Sequence, residues 1–220
     1  MAMKLARFFP DAEIERIRSL VEAAEKRTSG EIVPYIVERS DDYEEAEWRA
    51  GALVLAVVMC AVSAFYWVSE SWHSFDIILM GLDSGAAFFV GFLAARYIPP
   101  VKRFFAGSSL IERRVAGRAA SAFLSEEVFK TAERTGILIF LSLLEHRVVV
   151  LGDSGINAKV EKGEWEAIVR TVIGGIRAGK PADGLAAAIE QAGALLERTG
   201  VRIAPGDRNE LGNEPRLRDR

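Results

Sequence analysis

The apolar positions of this chain follow three rhythms: helical periods toward both ends, strand-like density at two places, and two long unbroken runs between them. The unbroken runs are Ala50–Val68 and Ile77–Ala95; the first carries no charge and the second only Asp83. At 1.5 Å rise per residue, each makes a helix of about 29 Å, close to the roughly 30 Å hydrocarbon core of a bilayer. Buried helices of globular proteins average roughly 11–12 residues and are seldom apolar all round. The pattern therefore predicts two membrane-spanning helices, and the short connection Ser69–Asp76 makes them a tight antiparallel hairpin. Ala52, Ala56, Cys60 and Ala64 recur at every fourth position. Such a stripe predicts close packing against Gly81, Ser84 and Gly85, then Gly91, Ala94 and Ala95, of the second helix. Asp83, about one turn from the loop, is read as snorkelling to water.

Outside the runs, Ile14, Ile17, Val21 and Ala24 share one face of a helix that opens at Pro10 or Asp11 and stops at Thr28-Ser29-Gly30. Glu31–Glu38 is strand-like, with Pro34 arguing for a sheet edge or a bulge. Past the second run, Ser109 and Glu112 have capping-box spacing, and Ile111, Val115, Ala119 and Ala122 continue on one helical face. Ile137–Leu143 reads as a buried strand, Glu145-His146 as a turn, and Arg147–Leu151 as the returning strand. Two amphipathic helices follow, marked by Trp165, Ile168, Val172 and Ile176, then by Leu185, Ile189, Ala192 and Leu196. A long helical crossover makes the first two strands parallel, and the turn makes the third antiparallel. The predicted fold is α/β, a small mixed β-sheet flanked by helices and interrupted by a transmembrane helical hairpin. Residues 1–48 and 99–202 supply the two parts of the α/β domain, and residues 49–98 the hairpin. Residues 203–220, polar and without period, read as a disordered tail.

Charge orients this arrangement. The connection between the runs has no Lys or Arg, whereas Arg49, Arg96, Lys102 and Arg103 flank them on the other side. By the positive-inside rule both termini belong in the cytoplasm of a two-span protein of the cytoplasmic (inner) membrane. No apolar h-region precedes the charged N-terminal sequence, so a cleaved signal peptide is not expected. The single cysteine, Cys60, excludes an intrachain disulfide. A net charge of −3 and a pI near 5.6 argue against a nucleic-acid footprint. Partners are then the lipid bilayer and other membrane proteins, or a second copy.

Candidate chemistry is sparse. Gly152-Asp153-Ser154-Gly155 imitates a serine-protease nucleophile, but His146 lies about 20 Å away at the other end of its strand, at roughly 3.3 Å per residue, and His73 lies in the hairpin connection. The segment is read as a turn. One Cys and two distant His give no zinc pattern, and the glycines give no phosphate loop. More promising are three carboxylates that the strand directions bring to one sheet edge: Glu31, Glu133 and Asp153. With backbone carbonyls and water, such a set suits a hard cation, Ca²⁺ or Mg²⁺. Arg134 offers a local counter-charge.

Two stretches, IERIRSLVEAAEKRTSGEIVPYIV (Ile14–Val37) and GILIFLSLLEHRVVVLGDSG (Gly136–Gly155), resemble the TPM domain family. That family is named for a thylakoid-lumen phosphatase, a photosystem II repair protein and an acetylcholine-receptor auxiliary protein. The Trp165 helix and the Gly179–Leu185 segment follow in the family's order. The chain is similar to a prokaryotic membrane subgroup with two spans inserted after the first strand. The resemblance implies a TPM-like fold, divalent-metal binding, weak acid phosphatase activity, or assembly and repair of membrane complexes. Many members carry Asp-Asn-Gly before the second strand; here it is Arg134-Thr135-Gly136. The expectation is a non-catalytic adaptor or an assembly and quality-control factor for membrane proteins, without a required cofactor. A metal-dependent phosphatase-like hydrolase is the alternative.

Overall fold

A computed structural model describes residues 3–69, 77–201 and 211–219. In chain order its elements are α1 (Met3–Phe8), α2 (Asp11–Glu25), β1 (Ile32–Val37), α3 (Glu44–Ser69), α4 (Ile77–Tyr97), α5 (Pro99–Ala106), α6 (Ser108–Ser125), β2 (Ile137–Ser142), β3 (Arg147–Gly152), α7 (Ser154–Asn157), α8 (Lys162–Arg177), α9 (Pro181–Arg198) and β4 (Arg216–Arg218). Two compact units emerge: Met1–Asp41 with Arg113–Arg220, and Asp42–Glu112. The hairpin connection expected at Ser69–Asp76 lies, from residue 70 on, outside the described residues, as does the first part of the expected tail.

The first unit is a four-stranded mixed sheet in the order β3-β2-β1-β4. β1 and β2 run parallel with Ile32 opposite Ile137, and β3 returns antiparallel with Gly152 opposite Ile137. β1 and β2 are buried at every position, which is why both read as unbroken apolar segments. On one face, Ile32 and Ile36 of β1 with Ile137, Ile139 and Leu141 of β2 pack with Ile17 and Val21 of α2, Ile168 of α8 and Leu185 and Leu196 of α9. On the other, Tyr35 stacks on its register partner Phe140 at 5.6 Å. Helices α8 and α9 meet at Gly175 and Gly184, where a Cβ on Gly175 would lie 2.6 Å from the Gly184 Cα.

The end of the chain differs from expectation. Residues 211–219, read as part of a disordered tail, include β4, which pairs in parallel with β1, Tyr35 opposite Arg216. Two physical terms outweigh its polar composition. β1 would otherwise present an open edge, and Arg216 pairs with Glu126 at 3.0 Å with both side chains largely buried. This pairing also makes β1 an interior strand, so Pro34 needs another account than an edge position. Glu31 and Val37 bond toward β2, while Glu38 donates its N–H to Arg218 O of β4 at 3.1 Å. Even-numbered residues of β1 therefore face β4. Pro34 has no N–H to offer there, and β4 begins only opposite Tyr35, so no ladder bond is lost. Ile32, still further from β4, donates its N–H to Glu25 Oε1 at 3.0 Å.

The second unit holds the two apolar runs. Glu44–Phe65 of α3 is one helix long and apolar enough to cross a membrane. Met80–Tyr97 qualifies only together with Pro99–Ala106, across a bend of 102°. Within the unit α3 and α4 pack antiparallel: Gly91 meets Ala50 and Val54, and Ser84 reaches Met59 further along. The packing face is not the predicted stripe. Ala52, Ala56, Cys60 and Ala64 are exposed. On α3 close approach occurs instead at Gly51, whose missing side chain leaves room for the Phe88 ring, and on α4 it occurs at Gly91, as expected. Gly81 and Gly85 face open space. A bulky ring needs a glycine opposite it, and that complementarity is invisible to a count of small residues.

Candidate functional site

The carboxylates singled out from the sequence lie around Gly136, the residue before β2. Glu31 precedes β1 and its carbonyl accepts Ile137 N–H at 2.8 Å; Asp153 follows β3 and donates its own N–H to Gly136 O at 2.9 Å. The strand directions thus bring Glu31 and Asp153 to one edge, as read from the sequence. Both are buried, whereas Glu133 is exposed.

Each side chain has protein partners. Asp153 caps α7, its Oδ1 accepting from Ser154 N at 2.6 Å. Its Oδ2 lies 2.8 Å from Arg134 Nε, an ion pair without the alignment of a hydrogen bond. Arg134 sits in the left-handed region, φ 57°, and its guanidinium lies 5.8 Å from the Phe129 ring centroid. Its carbonyl accepts from Gly155 N at 2.9 Å. That approach requires glycine, since a Cβ at 155 would stand 2.2 Å from Glu133 O. Gly136 is equally confined, with Val128 O 2.1 Å from the position of a Cβ. Glu133 accepts from Ser29 Oγ at 3.4 Å. A shared cation does not fit this arrangement: Arg134 supplies the positive charge at Asp153, and Glu133 turns to Ser29. Among the described residues no group of three or more His, Cys, Asp or Glu side chains is spaced to hold a metal ion.

A residue the sequence reading passed over completes the edge. Glu25, the last residue of α2, hydrogen-bonds the Ile32 N–H and faces the Glu31 carboxyl. Burial, reinforced by the neighbouring Glu31 charge, pushes the Glu25 carboxyl up to about 8, against the pull of the Ile32 N–H and of Arg216. The signal was available: Glu25 stands four residues after Val21, on the buried stripe of α2. At the opposite sheet end a second polar cluster also escaped notice. Ser142 Oγ lies 2.8 Å from Ser40 Oγ and donates to Glu145 Oε2 at 2.5 Å, while Ser40 N donates to Glu145 Oε1 at 2.8 Å. All three residues are buried, and the cluster ties the β2–β3 turn to the chain leaving β1.

Among the described residues, neither end assembles a nucleophile and base. Ser154 opens α7 beside Arg134, and His146 lies in the turn before β3, at the far end of the strand. The motif Gly152–Gly155 is a capped helical turn. A groove of about 730 Å³ runs between α2 and the C-terminal segment, lined by Arg18, Arg216 and Arg218 and by Glu22, Glu126 and Glu214. Its charges balance in sign.

Comparison with known proteins agrees with the fold. Residues 108–195 match the profile of a family described as TPM domain. No curated protein matches the chain. Among solved structures, the NMR structure of the BA42 protein from the psychrophilic bacterium Bizionia argentinensis is similar, with a TM-score of 0.56 and 19% identity over 94% of this chain and 92% of that one. At that identity the likeness speaks for the fold alone.

Proposed function

We propose, from the premise that residues 108–195 of this chain are a TPM domain, that the protein is a membrane-anchored, non-catalytic adaptor or assembly and quality-control factor for other membrane proteins. One observation carries this reading. The sheet edge where a metal-dependent hydrolase would keep free carboxylates has Asp153 held by Arg134 and by the N-terminus of α7. A carboxylate so engaged stabilises the fold instead of waiting for a ligand.

The anchor in this reading is the α3–α4 hairpin. Supporting it are the apolar length of α3 and the bare outer flank, where Leu53, Val57, Phe65, Phe89 and Val90 are all at least half exposed. Exposed apolar side chains in such number mark a membrane or protein interaction site, and the span-length apolar stretch of α3 favours the membrane. Basic residues at 49, 96, 102 and 103 favour two spans with both termini in the cytoplasm.

The test sets adaptor against hydrolase in the full-length protein in detergent micelles. Ca²⁺ or Mg²⁺ should raise the melting temperature little, and a generic phosphate ester should not turn over. A bound cation at one hundred times its dissociation constant would contribute about 2.7 kcal/mol, easily seen in a melt. Large metal-dependent stabilisation and ester hydrolysis, both lost in Asp153→Asn, would overturn the adaptor reading in favour of the hydrolase.

A further inference from the structure

The joint between α4 and α5 has a specific cause. Ile98 is extended, φ −107° and ψ 101°, because Pro99 follows it, and Pro99-Pro100 open the new helix. The chain turns through 102°. A buried ionic cluster then fixes the turn. Lys102 Nζ lies 2.7 Å from Glu47 Oε1, with the two side chains only 9% and 5% exposed, and donates to Asp42 O at 2.8 Å. Arg96 at the end of α4 reaches the other Glu47 oxygen at 3.2 Å, and Arg49 donates to Phe105 O at 3.2 Å. α5 cannot straighten into a continuation of α4 without stripping a buried lysine from its carboxylate.

The helix so held has two unlike faces. Lys102 and Ala106 are buried against α3 and α4. Phe104 is 78% exposed, and at the joint Tyr97 is 73% and Ile98 48% exposed. On α4 itself Leu93, Val90 and Phe89 are exposed as well, with the half-exposed Arg96 beside Tyr97 as the charged group at this level. A helix crossing a span at nearly a right angle lies near the plane of the bilayer, and aromatic side chains favour its headgroup layer. We propose that α5 is an interfacial helix resting on the phospholipid surface, with Tyr97, Ile98 and Phe104 immersed at headgroup level. The proposal rests on the membrane reading above and adds to it a fixed depth for the anchor.

The test uses the full chain with Cys60→Ala, reconstituted into vesicles of phosphatidylcholine and phosphatidylglycerol. Single cysteines replacing Val57, Phe104 and Arg170 carry an environment-sensitive fluorophore, and lipids with quenchers at shallow or deep acyl positions report its depth. Arg103→Cys provides a second probe on α5 that leaves Phe104 in place. The label at 57 should be quenched best by the deep lipid, and those at 103 and 104 several-fold better by the shallow one. The label at 170 should respond only to an aqueous quencher. If 57 is deep while 103 and 104 respond only to the aqueous quencher, the interfacial helix is refuted and the anchor stands. If 103 and 104 are as deep as 57, α5 belongs to a span and the proposal fails equally. Aqueous quenching of all positions refutes the membrane reading, and this inference with it.

Discussion

Glu25→Gln isolates the buried carboxyl pair. In the folded protein Glu25 holds its proton to about pH 8, well above the ordinary carboxyl value of 4.5. The native state therefore binds more protons than the unfolded chain between those limits, and stability falls as pH rises through the window. At about 1.36 kcal/mol per pH unit the full displacement has a ceiling of about 5 kcal/mol. The side chain is not wholly buried and shares its titration with Glu31, so roughly 2–3 kcal/mol is the realistic loss between pH 5 and 8.5. Glutamine keeps an oxygen for the Ile32 N–H and an amide for Glu31 but cannot ionise. The variant should match the parent within about 1 kcal/mol at pH 5 and exceed it by roughly 2–3 kcal/mol at pH 8.5. Guanidinium unfolding of the full chain in micelles, with ¹³C carboxyl shifts following Glu25 directly, measures both quantities. Parallel stability curves for parent and variant across pH 5–8.5 would refute the reasoning.

Three further outcomes are expected. Deleting residues 211–220 strips β4 from β1 and leaves Glu38 N–H without its acceptor. A loss of roughly 2–4 kcal/mol in denaturant and self-association visible by light scattering should follow; an unchanged midpoint would contradict the β4 pairing. Gly136→Ala places a methyl 2.1 Å from Val128 O, and a loss of about 3 kcal/mol or more should appear as a lowered melting temperature. Glu47→Ala abandons the buried Lys102 and should cost about 3–5 kcal/mol, most of it recovered when Lys102→Met is added; additive effects in that double-mutant cycle would deny the coupling.

What the sequence could and could not convey follows from which forces are local. Ile137–Ser142 and the α2, α8 and α9 stripes announce themselves, because burial on both faces or on one face imposes its own period. The edge position of Glu31 and Asp153 followed from strand directions alone, and Arg134 could be read as a counter-charge from its proximity in sequence. β4 could not be read: Arg216-Leu217-Arg218 has no strand character of its own, and it forms because β1 offers an edge and Glu126 a carboxylate. Glu133 turns to Ser29, a partner 104 residues away. The contact of Gly51 with Phe88 depends likewise on a shape supplied by a distant helix.

The order of synthesis gives β1 a long wait. The strand leaves the ribosome as Ile-Val-Pro-Tyr-Ile-Val, but β2 follows only after about a hundred further residues, and β4 comes last of all. At 5–20 residues per second, this wholly buried strand stands unpaired on one side for roughly 5–20 s, and on the other until β4 emerges about 180 residues after it. Such a segment is the kind that nucleates aggregation, and a proline within it is a known brake. Pro34, harmless in the finished sheet because β4 begins one residue later, thus guards the nascent chain during the interval when the sheet has only its middle strand.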